Sequence, residues 1–185
     1  MKQILIISGH PDLAHSLANK TILEELQKLL PVAEYAYLDR LYPDFRIDAE
    51  TEQKRLQGAD VIVLQFPLFW YGMPALMHKW MEDTFTHGFS HGSEGDKLKG
   101  KQLVVSFTSG ASEDMYSRGG LQNYPIEDFL PPLRQMANLC RMKWGGYVYS
   151  GGLSYAGRAD RELARAMREK AVRHARRLVE VLDEL

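Results

Sequence analysis

The chain predicts an α/β fold in which an open, all-parallel sheet carries helices on both faces. Two observations support this. Short, continuously apolar and β-branched runs recur, as in Ile4 to Ile7 and Val61 to Leu64, and they have the length and character of strands buried on both faces. Between them lie longer segments whose apolar residues repeat at three- and four-residue spacing, so strands and helices alternate and their connections form right-handed βαβ units.

The first strand covers Gln3 to Ile7 and stops at Ser8-Gly9-His10-Pro11. Ser16 stands as an N-cap before a helix from Leu17 that carries Ile22, Leu23, Leu26, Leu29 and Leu30 and ends at Pro31. A strand at Glu34 to Leu38 and a short helix at Ala49 to Gln57 follow, and then the apolar strand Val61 to Leu64 closes on Gln65-Phe66-Pro67. Next come a helix from about Pro74 to Phe85, a strand from Gln102 to Phe107, a helix over Ile126 to Arg141 and a strand from Gly146 to Ser150. The last helix, Arg161 to Leu185, turns Ala164, Met167, Ala171, Ala175, Leu178 and Leu182 inward. Five strands suggest the order 2-1-3-4-5, which gathers the ends of strands one, three and four beside the switch in strand direction, where open α/β sheets bind ligands.

At 185 residues with 45% hydrophobic content, the chain is expected to form one domain spanning 1–185. The formal net charge of -1 offers no field for nucleic acid or an anionic membrane, and a small uncharged substrate is the more natural partner. A single cysteine, Cys140, excludes an intramolecular disulfide, and the first apolar run is too short for a membrane span, so a cytoplasmic location and no membrane insertion are expected. His87 and His91 have the spacing of a one-face metal pair, but Gly88 and Gly92 disfavour a helix and no metal site is expected. The arginines of the last helix, Arg165 to Arg177, alternate with glutamates and read as a solvated face.

Three loops follow the three converging strands. In the first, Ser16, Leu17, Ala18 and Asn19 open a helix whose unpaired amides and dipole attract an anion such as a phosphate, and His10 adds an imidazole donor. The same residues would also serve as a plain turn and cap. The loop lacks the glycine patterns of nucleoside triphosphatases and of dinucleotide-binding folds. In the second, Pro67, Leu68, Phe69, Trp70 and Tyr71 run on to Gly72 and Pro74 and could wall in a planar aromatic ligand, or else plug the core or meet another subunit. In the third, the small residues Thr108, Ser109, Gly110 and Ala111 can point amides at a ligand edge, and Tyr116 adds a directed hydroxyl.

At these residues the chain resembles the flavodoxin-like NAD(P)H:quinone oxidoreductases of the DT-diaphorase type, and most of all their short bacterial members, which include ancillary subunits of glutathione-gated potassium efflux systems. The resemblance rests on five groups: His10-Pro11 with Ser16-x-Ala18-Asn19; Leu41-Tyr42-Pro43-Asp44-Phe45-x-Ile47-Asp48; Gln65-x-Pro67-Leu68-x-Trp70-Tyr71 with Pro74; Thr86 to Phe89; and Thr108-x-Gly110. It implies a flavodoxin-like fold and a non-covalent flavin, FMN with FAD as the alternative. The phosphate would lie at His10 and Ser16 to Asn19, the ring along Leu68 to Tyr71, and Thr108 to Ala111 at the pyrimidine side. It further implies NAD(P)H as hydride donor, a quinone-like acceptor, a homodimer, and catalytic roles for Tyr116 and Tyr71. Gln122 stands where the relatives' partner histidine would fall, and Phe69 where many have glutamine. Two other roles stand as alternatives: a regulatory subunit of a potassium efflux transporter, which the same resemblance implies, and a flavodoxin-like electron carrier, against which count the first loop, unlike the Thr- and Gly-rich phosphate loop of such carriers, and the near-neutral net charge.

Overall fold

The computed structural model describes residues 2–185. Five strands, β1 (Ile4–Ser8), β2 (Glu34–Tyr37), β3 (Val61–Pro67), β4 (Gln102–Thr108) and β5 (Lys143–Ser150), form one all-parallel sheet in the order β2-β1-β3-β4-β5. The helices are α1 (Leu17–Leu29), α2 (Leu38–Leu41), α3 (Ala49–Gly58), α4 (Ala75–Thr84), α5 (Pro131–Leu139) and α6 (Arg161–Asp183). The predicted fold class and strand order are those observed.

Strand alternation sorts the core into two layers. Ile62, Leu64 and Phe66 of β3 face α3, α4 and α5 together with Leu5, Ile7, Val105 and Phe107, and this layer centres on the fully buried Trp80. Val61 and Val63 face the other way with Ile6 and Val104, against Ile22, Leu23 and Leu26 of α1 and Ala171, Ala175 and Leu178 of α6. All seven residues of β3 are buried. Each large aliphatic side chain so placed stabilises the fold by about 1.5–3 kcal/mol relative to exposure.

Four boundaries differ from the sequence reading. The helix expected over Ile126 to Arg141 is two pieces, a 3-10 turn at Ile126–Phe129 and α5, because Pro131 and Pro132 have no amide to continue a helix and instead start one. β5 begins at Lys143, earlier than Gly146, and carries a register shift opposite Leu103/Val104 that Gly146 absorbs with a φ of 109°. Leu38 does not end β2 but opens the short α2. The final helix stops at Asp183. In α6, Arg165, Arg168, Arg173 and Arg176 face solvent as expected, but Arg177 folds back and donates to the Tyr149 carbonyl at 2.7 Å.

Candidate functional site

The C-terminal ends of β1, β3 and β4 lie side by side, Ser8 opposite Gln65 and Pro67 opposite Thr108. Gly9 makes this crowding feasible: its amide donates to the Gln65 carbonyl, and a Cβ there would meet the Met77 side chain at 2.6 Å. The loops leaving these strands enclose one cleft of about 480 Å³. It is lined by His10, Ser16, Leu17, Ala18 and Asn19 from the first loop, Pro67, Leu68 and Phe69 from the second, and Thr108, Ser109 and Gly110 from the third.

At one end of the cleft α1 begins. Ser16 caps it, its Oγ accepting from the Asn19 amide at 3.2 Å, which leaves the amides of Leu17 and Ala18 without intrahelical acceptors. The Nδ1 of His10 accepts from the Asp12 amide at 3.1 Å, so the neutral ring carries its proton on Nε2 and offers it as a donor. Burial lowers the pKa of His10 below the ordinary histidine value, against the opposing pull of Asp12 and Asp39, which keeps the ring neutral. An anion at this end would meet helix amides, a ring N–H and the guanidinium of Arg158.

Arg158 was not visible to the sequence reading. It enters the cleft with Leu153, Ser154, Tyr155 and Met167, stacks 3.3 Å above the Tyr155 ring, and donates to the His15 carbonyl at 3.4 Å. The signal that could have found it is the Gly151-Gly152 break directly after the last strand. In the 2-1-3-4-5 order that break delivers a fourth loop to the same sheet edge.

Along the cleft Phe69 meets His10 edge-on, with ring centroids 6.0 Å apart. The second loop is a tight hairpin in which Phe69 and Gly72 pair, and Trp70 and Tyr71 occupy its tip at positive φ. These two residues lie outside the cleft. Trp70 is 95% exposed, while Tyr71 leans the other way, stacks on Phe129 at 5.5 Å and donates its hydroxyl to Gln122 Oε1 at 3.1 Å. Tyr116 packs edge-on against the same Phe129 and against Tyr149, and burial raises its hydroxyl pKa. Both tyrosines therefore belong to an aromatic cluster beside the cleft: Tyr71 adjoins it across Leu68, which lines both the cleft and an apolar recess with Tyr71 and Phe129, and Tyr116 adjoins it through Tyr149, whose hydroxyl lies 2.6 Å from Ser109 Oγ. Ala111 likewise does not line the cleft; its carbonyl accepts from Ser109 Oγ and from the Gly152 amide and so ties the third loop to the fourth.

His87 and His91 meet edge-on at 5.7 Å, and among the described residues no group of three or more His, Cys, Asp or Glu side chains is arranged to hold a metal ion. No helix among the described residues is long and apolar enough to cross a membrane.

The fold is a doubly wound α/β sheet whose switch-point cleft joins a helix N-terminus to an apolar wall of Pro67, Leu68 and Phe69. The chain belongs to the family of flavodoxin-like fold, whose model matches residues 2–175. It is 40% identical over 141 residues to the glutathione-regulated potassium-efflux system ancillary protein KefF of Klebsiella aerogenes, covering 76% of this chain and 78% of that one. It superposes on the crystal structure of general stress protein 14 from Treponema denticola in complex with FMN with a TM-score of 0.86 and 26% identity, each chain covered to 98%. The NADPH-quinone reductase of P. pentosaceus is similar at a TM-score of 0.74 and 27% identity, with 91% of this chain and 97% of that one covered.

Proposed function

We propose that this chain is a single-domain, flavin-dependent NAD(P)H oxidoreductase that holds FMN in the cleft at the strand ends and reduces a quinone or similar acceptor. The observation that carries this reading is the union, in one cleft, of a helix N-terminus with an apolar wall. The residues fit the group from end to end. The amides of Leu17 and Ala18, the Nε2–H of His10 and the Arg158 guanidinium suit its phosphate. Pro67, Leu68 and Phe69 suit the flat ring, and Thr108, Ser109 and Gly110 offer polar groups to its pyrimidine edge. Bound there, FMN supplies a hydride acceptor for NAD(P)H and a two-electron donor for the second substrate. The chain's own part is to orient the ring and to place hydrogen-bond donors where negative charge develops, with Tyr71 and Tyr116 acting from the adjoining aromatic cluster.

Phe69 and Trp70 of the second loop, and Leu121 and Tyr124 of the segment bonded to that loop through Tyr71 and Gln122, are exposed, which favours a homodimer with these side chains covered, in the cytoplasm that the single cysteine suggests. FMN is preferred over FAD because the structurally similar general stress protein 14 was crystallised with FMN. The visible spectrum of the purified protein, with the released flavin identified and NAD(P)H oxidation followed with and without a quinone, tests the reading. A colourless protein that takes up neither FMN nor FAD refutes it.

The identity with KefF favours a second role, as an ancillary subunit that docks on a potassium efflux transporter. Co-purification with such a transporter supports this role, and its absence under conditions that preserve the transporter counts against it.

A further inference from the structure

Below the cleft a row of polar side chains crosses the core. Asn19, Gln65, Ser106, Thr108, Ser150 and His174 are each at most 3% exposed, an unusual concentration of polar groups in an otherwise apolar sheet. Each is bonded to the next. Arg177 Nη2 donates to Ser150 Oγ at 2.7 Å, and Ser150 Oγ lies 2.9 Å from His174 Nδ1. His174 Nε2 lies 2.7 Å from Ser106 Oγ, which donates to Gln65 Oε1 at 2.5 Å. Gln65 Nε2 donates to Asn19 Oδ1 at 2.9 Å, and Asn19 Nδ2 donates to Thr108 Oγ1 at 3.1 Å.

The row has one self-consistent direction. Arg177 can only donate, so Ser150 accepts from it and has its own hydrogen left for His174 Nδ1. The hydrogen of Ser106 is committed to Gln65, so the proton between His174 and Ser106 belongs to Nε2. Run backwards, the row would bring two donors onto Ser150 and leave its buried hydroxyl hydrogen without an acceptor, and a ring N–H would also point toward a cation. Burial holds the His174 ring far below the ordinary histidine range, at about 3, and Arg177 acts in the same sense, so the ring is neutral and carries a single proton. Every bond then points away from Arg177 and toward the cleft, and the last acceptor, Thr108, keeps its hydrogen free at the cleft lining. Aligned bonds of this kind polarise one another.

We propose that His174 is a positioning residue: with its proton on Nε2, it relays a one-way row of hydrogen bonds from Arg177 to Thr108 and so fixes the Thr108 hydroxyl as a donor to an acceptor atom on the ligand edge. The ligand identity rests on the flavin reading above, in which that acceptor is a carbonyl oxygen or ring nitrogen of the pyrimidine edge. His174 touches no ligand. It sets the direction in which a residue that does touch the ligand can hydrogen-bond, and removing it frees Thr108 to turn its hydrogen inward to Asn19.

Two measurements test this. In the ligand-free protein, ¹⁵N spectra of the histidine rings at pH 7 should show His174 as the Nε2–H tautomer; an Nδ1–H ring overturns the proposal. In FMN titrations of the apoprotein, His174→Ala and Thr108→Val should each raise the dissociation constant roughly tenfold, and the double variant no further than either single change. His174→Gln, which offers an amide oxygen and an amide N–H in place of the two ring nitrogens, should restore the wild-type constant. If alanine at 174 prevents folding, Ser106→Ala interrupts the row one bond nearer the cleft and carries the same expectation. Additive losses overturn the proposal, as does a variant that loses thermal stability while its FMN affinity is unchanged. Failure of the wild-type protein to bind FMN at all defeats the flavin reading instead, and the tautomer measurement then decides the direction of the row by itself.

Discussion

Phe69 and Gly72 exchange two backbone hydrogen bonds of 3.0 Å each, so Trp70 and Tyr71 are the two central residues of a minimal hairpin. Their φ values of 48° and 66° are the left-handed pair that a type I′ turn demands, a role usually filled by Asn-Gly. A bulky residue in that region costs about 1–3 kcal/mol. Tyr71 recovers part of the cost through its stack on Phe129 and its bond to Gln122. Trp70, with its ring in solvent, recovers nothing within this chain.

Strain without local compensation points to a role outside the chain's own packing. Trp70→Asn should therefore stabilise the protein by about 1 kcal/mol in urea denaturation, since Asn tolerates the left-handed region. The same variant should bind FMN more weakly or turn over more slowly, if the ring backs the cofactor or completes the site across a dimer. A variant that gains stability with no loss of binding, turnover or dimerisation would assign Trp70 no function.

The two tyrosines that flank Phe129 are predicted to act in turnover and not in retention of the cofactor. Neither lines the cleft: Tyr71 adjoins it across Leu68, and Tyr116 adjoins it through Tyr149, whose hydroxyl is bonded to the cleft residue Ser109. Tyr116→Phe, assayed by steady-state oxidation of NADPH, should lower kcat by about tenfold or more while the FMN dissociation constant stays within error, the pattern of an interaction made only in the transition state. Tyr71→Phe should do the same more weakly, because its hydroxyl is already committed to Gln122. Weaker FMN binding in either variant would relocate these residues to the ring-binding surface.

The sheet, its order and the N-cap at Ser16 were legible because each rests on local pattern: continuous apolar runs for two-sided burial, helical periodicity between them, a hydroxyl directly before the first periodic residue. Three of the four loops around the cleft were legible for the same reason, since each follows a buried strand. The relay through His174 was not. Within α6 a histidine at an inward position is indistinguishable from a surface residue, and only the packing of α6 across β4 and β5 brings it to Ser106 and Ser150. Arg158 escaped for a similar reason, because it follows the edge strand β5, whose end is not one of the three that converge at the switch point, and only the folded loop brings it into the cleft. The direction in which Trp70 and Tyr71 point depends on two φ angles that no aromatic run announces.

The Leu41 to Asp48 motif, part of the family resemblance, has a structural role away from the cleft. Tyr42 donates its hydroxyl to Glu52 Oε1 at 2.8 Å, Trp80 Nε1 donates to Oε2 at 2.8 Å, and Arg55 pairs with the same carboxylate and with Glu34. Glu52 is fully buried, and its two carboxylate oxygens are taken up by these three partners. Glu52→Ala should destabilise the protein by about 3–5 kcal/mol, leaving the Trp80 indole N–H and the Tyr42 phenol without their acceptor and the Arg55 guanidinium with Glu34 alone. Glu52→Gln should cost less. Thermal melts of the two variants check the order, and equal costs would mean that cavity formation and not lost acceptance dominates.

The buried imidazole of His174 makes a prediction about pH whose sign is set by linkage. Its ordinary value is 6.5 and its value in the fold is about 3, depressed chiefly by burial and further by Arg177. Below pH 6.5 the unfolded chain takes up a proton that the folded chain refuses, so the contribution is complete above about 6.5 and is lost progressively as the pH falls toward 3. Each pH unit within that window removes about 1.4 kcal/mol, or roughly 2–3 kcal/mol between pH 6.5 and 4.5. His10, also depressed by burial, adds in the same direction. The lowered carboxyls of Asp12, Asp48 and Glu113 lose their contributions only at lower pH. The difference between wild type and His174→Gln isolates the one group: urea denaturation at pH 7 and pH 4.5 should show a steep loss in the wild type and a shallower one in the variant. Parallel losses would mean that His174 takes up a proton in the folded state, and the row would then carry a cation at its centre in place of a neutral relay.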